Sequence, residues 1–166
     1  MKNILIAVVL IATVFTQKSF ALPASAIRNH TTKQDQLPQL LTSYYHIKNA
    51  LVAGNAGDAA KAATSFIKAA HSVDDNAISK STVNKLLKDA GKISQSSDIK
   101  KQREYFAGFS ASMTDLAKTV KLTDQPVYIQ YCPMQKASWL SNEQSIKNPY
   151  YGNSMLSCGK VTDTIQ

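Results

Sequence analysis

Two cysteines carry the most specific chemistry this chain offers. Cys132 opens Cys132-Pro133-Met134, and Cys158 closes Met155-Leu156-Ser157-Cys158, so each has a methionine two or three positions away. Thiolate with thioether is the donor set that soft Cu(I) prefers. Zinc takes further Cys or His, which this segment lacks. A disulfide is the competing reading. Closing a loop of about 25 residues contributes roughly 3 kcal/mol by chain-entropy reasoning, and methionines beside cysteines also serve as ordinary core filler. The two readings can coexist, because a reduced pair can bind copper and an oxidised pair cannot.

The other reactive side chains carry weaker signals. His46 follows Tyr44-Tyr45 but lies off the apolar stripe of its helix, and His71 sits near a helix end, where an imidazolium suits the dipole. Both are kept as auxiliary ligands to Cys132, Met134, Met155 and Cys158; His30 is set aside. Met113 occupies a stripe position and reads as core. Trp139, Tyr150 and Tyr151 fit a satellite core under the C-terminal segment. Ser110, Ser112 and Asp115 read as helix surface or small packing residues. No Gly-x-Ser-x-Gly, His-Glu-x-x-His, Cys-x-x-Cys or phosphate loop occurs, so the expectation is a non-enzymatic protein.

The elements that must position the sulfur atoms follow from periodicity. Val127-Tyr128-Ile129-Gln130-Tyr131 alternates and predicts a strand, and 160–165 is a second. Paired antiparallel, they bring Cys132 opposite Cys158. Ser141 with Gln144 three residues on resembles a capping box and predicts a short helix near 142–147, while Asn148-Pro149 and Tyr151-Gly152-Asn153 are turn chemistry. Upstream, four apolar stripes have helical spacing. The first is Leu37, Leu40, Leu41, Tyr44, Ile47 and Leu51, stopped at Gly54. Asp58 is the expected cap of the second, which carries Ala59, Ala63, Phe66, Ile67 and Ala70. The third starts near Ser79 and holds Val83, Leu86, Leu87 and Ala90. The fourth follows Ser96-Ser97-Asp98 with Ile99, Phe106, Phe109, Met113, Leu116 and Val120. The fold class expected is mainly α: an antiparallel four-helix bundle over 37–122, with a small C-terminal irregular or short-strand subdomain over 123–166.

Residues 1–21 read as a secretory signal peptide: Lys2, the apolar run Ile4 to Phe15, then Ser19-Phe20-Ala21, with an alternative cut after Ala26. Residues 22–36 form a polar tether. The apolar run is shorter than the roughly 20 residues of a membrane helix, so no integral membrane segment is expected after cleavage. The expected location is the periplasm or the medium, an oxidising compartment where two Cys can pair. At 44% hydrophobic and 18% charged residues, the composition excludes collagen-like, disordered and disulfide-dense chains. The net charge is +8. The bases are scattered along polar faces without aromatic interleaving, so nucleic acid is not an expected partner.

Tyr128-Ile-Gln-Tyr-Cys-Pro-Met134, Trp139-Leu-Ser141, Ile146-Lys-Asn-Pro-Tyr-Tyr-Gly152 and Met155-Leu-Ser-Cys-Gly159 together resemble the bacterial domain-of-unknown-function family numbered 3347. Tyr44-Tyr-His-Ile-Lys-Asn-Ala-Leu51 resembles its opening helix; Gln102-Arg103, Phe106 and Phe109-Ser110 resemble its last long one. The resemblance spans roughly 37–165. Members occur as exported proteins and fused to periplasmic adaptors of heavy-metal efflux systems, so it implies a metal-related setting, efflux components as partners and no established enzymatic activity. Cys-Pro-Met also resembles the Tyr-x-Cys-Pro-Met-His start of small heavy-metal-binding domains, with Gln135 in place of that His. The expected function is therefore binding or transfer of a soft ion, Cu(I) foremost, linked to heavy-metal resistance or efflux. The alternative is a disulfide-clasped interaction module without metal.

Overall fold

A computed structural model describes residues 36–166; the expected signal peptide and most of the tether lie outside the described residues. Four helices come first: α1 (Gln36–Ala53), α2 (Ala56–His71), α3 (Lys80–Gln95) and α4 (Ile99–Thr119). Their starts are set by side chains that satisfy free N–H groups. Asn55 Oδ1 accepts from Asp58 N at 3.0 Å, Ser79 Oγ from Thr82 N at 3.3 Å, and Asp98 Oδ1 from Lys100 N at 2.8 Å. The cap of α2 is thus Asn55, not Asp58. The asparagine sits in extended backbone before the first turn, whereas Asp58 lies inside that turn and holds Asn55 Nδ2 with its carboxylate at 2.7 Å. Gly54 ends α1 at φ +74°, as its position in the sequence suggests.

The stripes meet as expected in a bundle of consecutive neighbours, joined by connections short enough to favour antiparallel packing. Leu40, Tyr44, Ile47, Leu51, Phe66, Leu86, Ile93, Phe106, Phe109 and Met113 are all buried. Ser110 and Ser112 are buried as well. Ser110 shares a hydrogen bond of 2.6 Å with the Tyr44 hydroxyl, and Ser112 donates to Gly108 O at 3.0 Å.

A three-stranded antiparallel sheet follows, in the order β2-β1-β3, with β1 Val127–Cys132, β2 Ala137–Ser141 and β3 Lys160–Ile165. β1 and β3 match the two expected strands, and they pair Val127 with Ile165 and Tyr131 with Lys160 across a bulge at Ile129/Gln130. β2 was not anticipated. It pairs as a hairpin with β1, Cys132 opposite Ala137 and Tyr128 opposite Ser141. Residues 142–147 form bends and open turns, not a helix. Gln130 explains the difference. Its buried Nε2 lies within hydrogen-bond distance of the carbonyls of Glu143, Gln144 and Ser145 at 2.8, 3.2 and 3.2 Å, gathering oxygens that a helix would direct along its own axis. Ser141 Oγ accepts from Glu143 N at 3.1 Å, a turn bond two residues on instead of a helix cap.

An aromatic series joins bundle to sheet. Phe66 meets Phe109 edge-on at 4.8 Å, Phe109 and Phe106 flank Tyr44 at 5.6 and 5.5 Å, Phe106 meets Tyr150 at 5.8 Å, and Tyr150 meets Trp139 at 5.9 Å. Such pairs add roughly 0.5–1.5 kcal/mol each beyond area burial. Polar bolts cross the same boundary. Leu140 N donates to the Tyr44 hydroxyl at 3.0 Å, and Lys48, only 1% exposed, donates to Ser141 Oγ at 3.4 Å with its ammonium over the Tyr45 ring. Burial pushes the Lys48 ammonium down to about 8, against a smaller upward pull from Glu143.

Candidate functional site: a paired-thiol centre

Cys132 ends β1, and its side chain is fully buried. The chain turns at once through Pro133-Met134-Gln135-Lys136, with Lys136 in the left-handed region at φ +54°. Cys132 Sγ holds this turn by accepting from Gln135 N at 3.4 Å. A second donor reaches the same sulfur from the far side: Asn148 Nδ2 at 3.2 Å.

Asn148 is the hub of the site. Fully buried, it also donates from Nδ2 to Cys158 O at 2.8 Å and accepts Tyr150 N on Oδ1 at 2.8 Å. Its backbone N donates to Leu156 O at 2.8 Å, and its backbone O accepts Gly152 N at 3.0 Å. One residue thereby ties the end of β1 to the whole 150–158 segment. The following Pro149 keeps Asn148 out of helical backbone, which suits it to a loop junction.

Cys158 arrives by this route, half-buried, with Cys158 N bonded to Met155 O at 3.1 Å. Gly159 beyond it has φ +153°. A Cβ there would stand 2.9 Å from Trp139 Cη2 and 3.0 Å from Tyr131 O, so only glycine lets the chain press this closely onto β1 and β2. Both cysteines are free thiols, and Cys132 is near enough to Cys158 to act on its thiol. Desolvation first, and then the neighbouring Cys132 thiol, push the Cys158 thiol above its ordinary value. The pair therefore holds a proton that an incoming cation would have to displace.

The structure brings Cys132 and Cys158 together. Met134 and Met155 stand on the two flanking turns and are exposed, 61% and 39% respectively. His46 is exposed on α1, in a groove lined by Tyr45, Pro126 and Asn142; His71 is exposed at the end of α2, beside Asp75 and Lys80. Among the described residues no group of three or more His, Cys, Asp and Glu is placed to hold a metal ion, so neither histidine joins the thiols. Asn148 had read only as a turn former. The signal that marks it is its place before proline, midway between the cysteines.

The described residues thus form a four-helix bundle followed by a small antiparallel sheet that carries the two cysteines. The chain itself belongs to the family described as protein of unknown function (DUF3347), which matches residues 40–125. That span covers nearly all of α1 through α4 and ends just before β1, so the thiol centre lies beyond the matched region. No curated protein and no solved structure matches the chain. Among the described residues no helix is long and apolar enough to cross a membrane.

Proposed function

We propose that this is an exported, non-enzymatic protein that binds or hands over a soft ion, Cu(I) foremost, in the setting of heavy-metal resistance or efflux. The observation that carries the reading is the placement of Cys132 and Cys158 at the same end of the paired β1 and β3, with two N–H donors on Cys132 Sγ. Two thiolates suffice for a linear soft-ion site, and exposed thioethers on both flanking turns give an arriving or departing ion further soft donors. Because Cys158 is held as the thiol, loading releases protons and weakens as pH falls. The same placement favours a second reading, a disulfide-clasped interaction module without metal.

Competition against a Cu(I) chelator separates them. Reduced protein should take up about one Cu(I) per chain, and the Cys132→Ser, Cys158→Ser variant none. Met134→Leu with Met155→Leu should weaken uptake, since leucine has no lone pair to donate. Copper affinity equal to wild type in that double variant would remove the methionines from the ligand set. No uptake by reduced wild type would sink the metal reading and leave the clasp.

A further inference from the structure

A groove enclosing about 340 Å³ opens between the first turns of α4 and the 150–154 turn. Its α4 wall is Lys100, Arg103 and Glu104; Tyr150 and Tyr151 supply aromatic surface opposite; Gln135 and Ser154 complete the lining. Gln135 and Ser154 are the chain neighbours of Met134 and Met155. The groove therefore lies alongside the thiol centre and shares its rim.

Arg103 is unusual among the described cations. Its Nη2 donates to Leu51 O at 2.9 Å, and its Nε is sealed from solvent with no partner. Gly152, at φ +55°, allows this placement, since a Cβ there would stand 2.5 Å from Arg103 Nη2. Burial lowers the guanidinium's pKa, yet among the described residues no carboxylate lies within ion-pair distance of it or of Lys100. Five other lysines, including Lys61 and Lys92, do have acidic partners. Beyond the Nη2 bond and the sealed Nε, the guanidinium keeps further N–H donors for a carboxylate. Glu104 is exposed and opposes an anion at that side of the groove, so the favourable position lies toward Arg103 and the tyrosines. The exposed large hydrophobic side chains of the described residues are Met134, Met155 and Leu156, all on the turns around the thiols.

We propose that this basic, tyrosine-lined groove, with its methionine rim, docks a segment of a partner protein that carries carboxylate and apolar side chains, placing that partner beside the two turns that flank the thiol centre. Charge complementarity selects the carboxylates. The apolar rim selects a polypeptide over a free anion, which would leave Met134, Met155 and Leu156 uncovered. The inference rests on the metal-transfer reading only for its purpose; the binding itself needs no metal.

The test uses reduced, metal-free full-length protein and a capped peptide of alternating glutamate and leucine, followed by amide NMR shifts at low ionic strength. Saturable shifts are expected at Lys100, Arg103, Gln135, Tyr151 and Ser154. Affinity should fall about tenfold, a change of about 1.4 kcal/mol, in the exposed-site variant Lys100→Glu, and should fall again with added salt. Shifts scattered over the lysines of α2 and α3, or an affinity unchanged by Lys100→Glu, would overturn the proposal. So would equal binding of the glutamine-for-glutamate peptide. Inorganic phosphate saturating the same amides as tightly would replace the polypeptide with a free anion and overturn it too. Peptide binding that survives a failed copper titration supports the groove and sinks only the metal reading; copper uptake without peptide binding does the reverse.

Discussion

Replacing Asn148 with alanine tests whether the thiol centre is held by one carboxamide. The substitution removes two donated bonds, to Cys132 Sγ and Cys158 O, and one accepted bond from Tyr150 N. The backbone bonds of residue 148 to Leu156 and Gly152 can remain. Tyr150 N is left buried without its partner, at about 1–3 kcal/mol. Cys158 O is only partly buried and can recover water, so its loss belongs at the low end of the same range, about 1 kcal/mol. Sulfur is a weak acceptor and adds little. The expected total is about 2–4 kcal/mol. Asn148→Asp keeps an acceptor for Tyr150 N but turns an oxygen toward Cys132 Sγ and Cys158 O, so it should cost at least as much. Trp139, the single tryptophan, is buried beside Gly159 and reports this region. Urea denaturation followed by its fluorescence, with thiol reactivity measured on the folded protein, is the assay. An alanine variant within about 0.5 kcal/mol of wild type, with both thiols reacting as before, would refute the hub.

Other substitutions probe the frame around the site. Lys48 has a folded-state pKa of about 8 against 10.5, so the folded chain loses this proton first and stability should rise between about pH 8 and 10, toward a full effect of roughly 3 kcal/mol. Above about pH 10 the raised pKa values of Tyr44, Tyr45 and Tyr150 act in the opposite sense, since the unfolded chain ionises those phenols first. Denaturation midpoints measured across that range should therefore pass through a maximum, and Lys48→Met should be more stable at neutral pH and lack the rise; a flat wild-type profile would contradict the burial of the ammonium. Gly159→Ala meets Trp139 and the Tyr131 carbonyl and should cost about 2 kcal/mol or more. Gly91→Ala, with open space inside α3, should instead stabilise by up to about 1 kcal/mol, and thermal unfolding of the two variants side by side checks the contrast.

The helices were legible because each repeats one apolar stripe over four or more turns; the starts at Ser79 and Asp98 carried their own side-chain signals, whereas at α2 the cap is Asn55 and the sequence pointed to Asp58. β1 was legible for the same reason at period two. β2 was not. Its burial rises along the strand and ends on three consecutive buried residues, Trp139, Leu140 and Ser141, because one end packs between α4 and the Tyr44–Lys48 face of α1. Alternation is lost when both faces of a strand are covered. The expected helix at 142–147 failed for a related reason. Six residues cannot offset the cost of nucleating a helix alone, and Gln130, thirteen to fifteen positions upstream, draws their carbonyls inward. In both places a long-range partner decided a local conformation that neighbouring residues alone did not specify.

The site's dependence on distant partners has a functional consequence. The thiols lie outside the region matched to the family, yet their positions are set from inside it. Tyr44 on α1 receives the Leu140 amide of β2, Lys48 holds Ser141, and Arg103 on α4 bonds the last turn of α1 while lying against Gly152. These are buried or half-buried polar bonds with defined directions, and mismatching any one leaves a polar group unpaired at about 1–3 kcal/mol. Apolar packing alone would tolerate sliding of the sheet across the bundle, whereas this set admits one docking geometry. The bundle thereby does more than supply stability. It helps set the approach of the Cys158 turn to Cys132, and it carries Lys100 and Arg103 on α4, the helix that packs against β2.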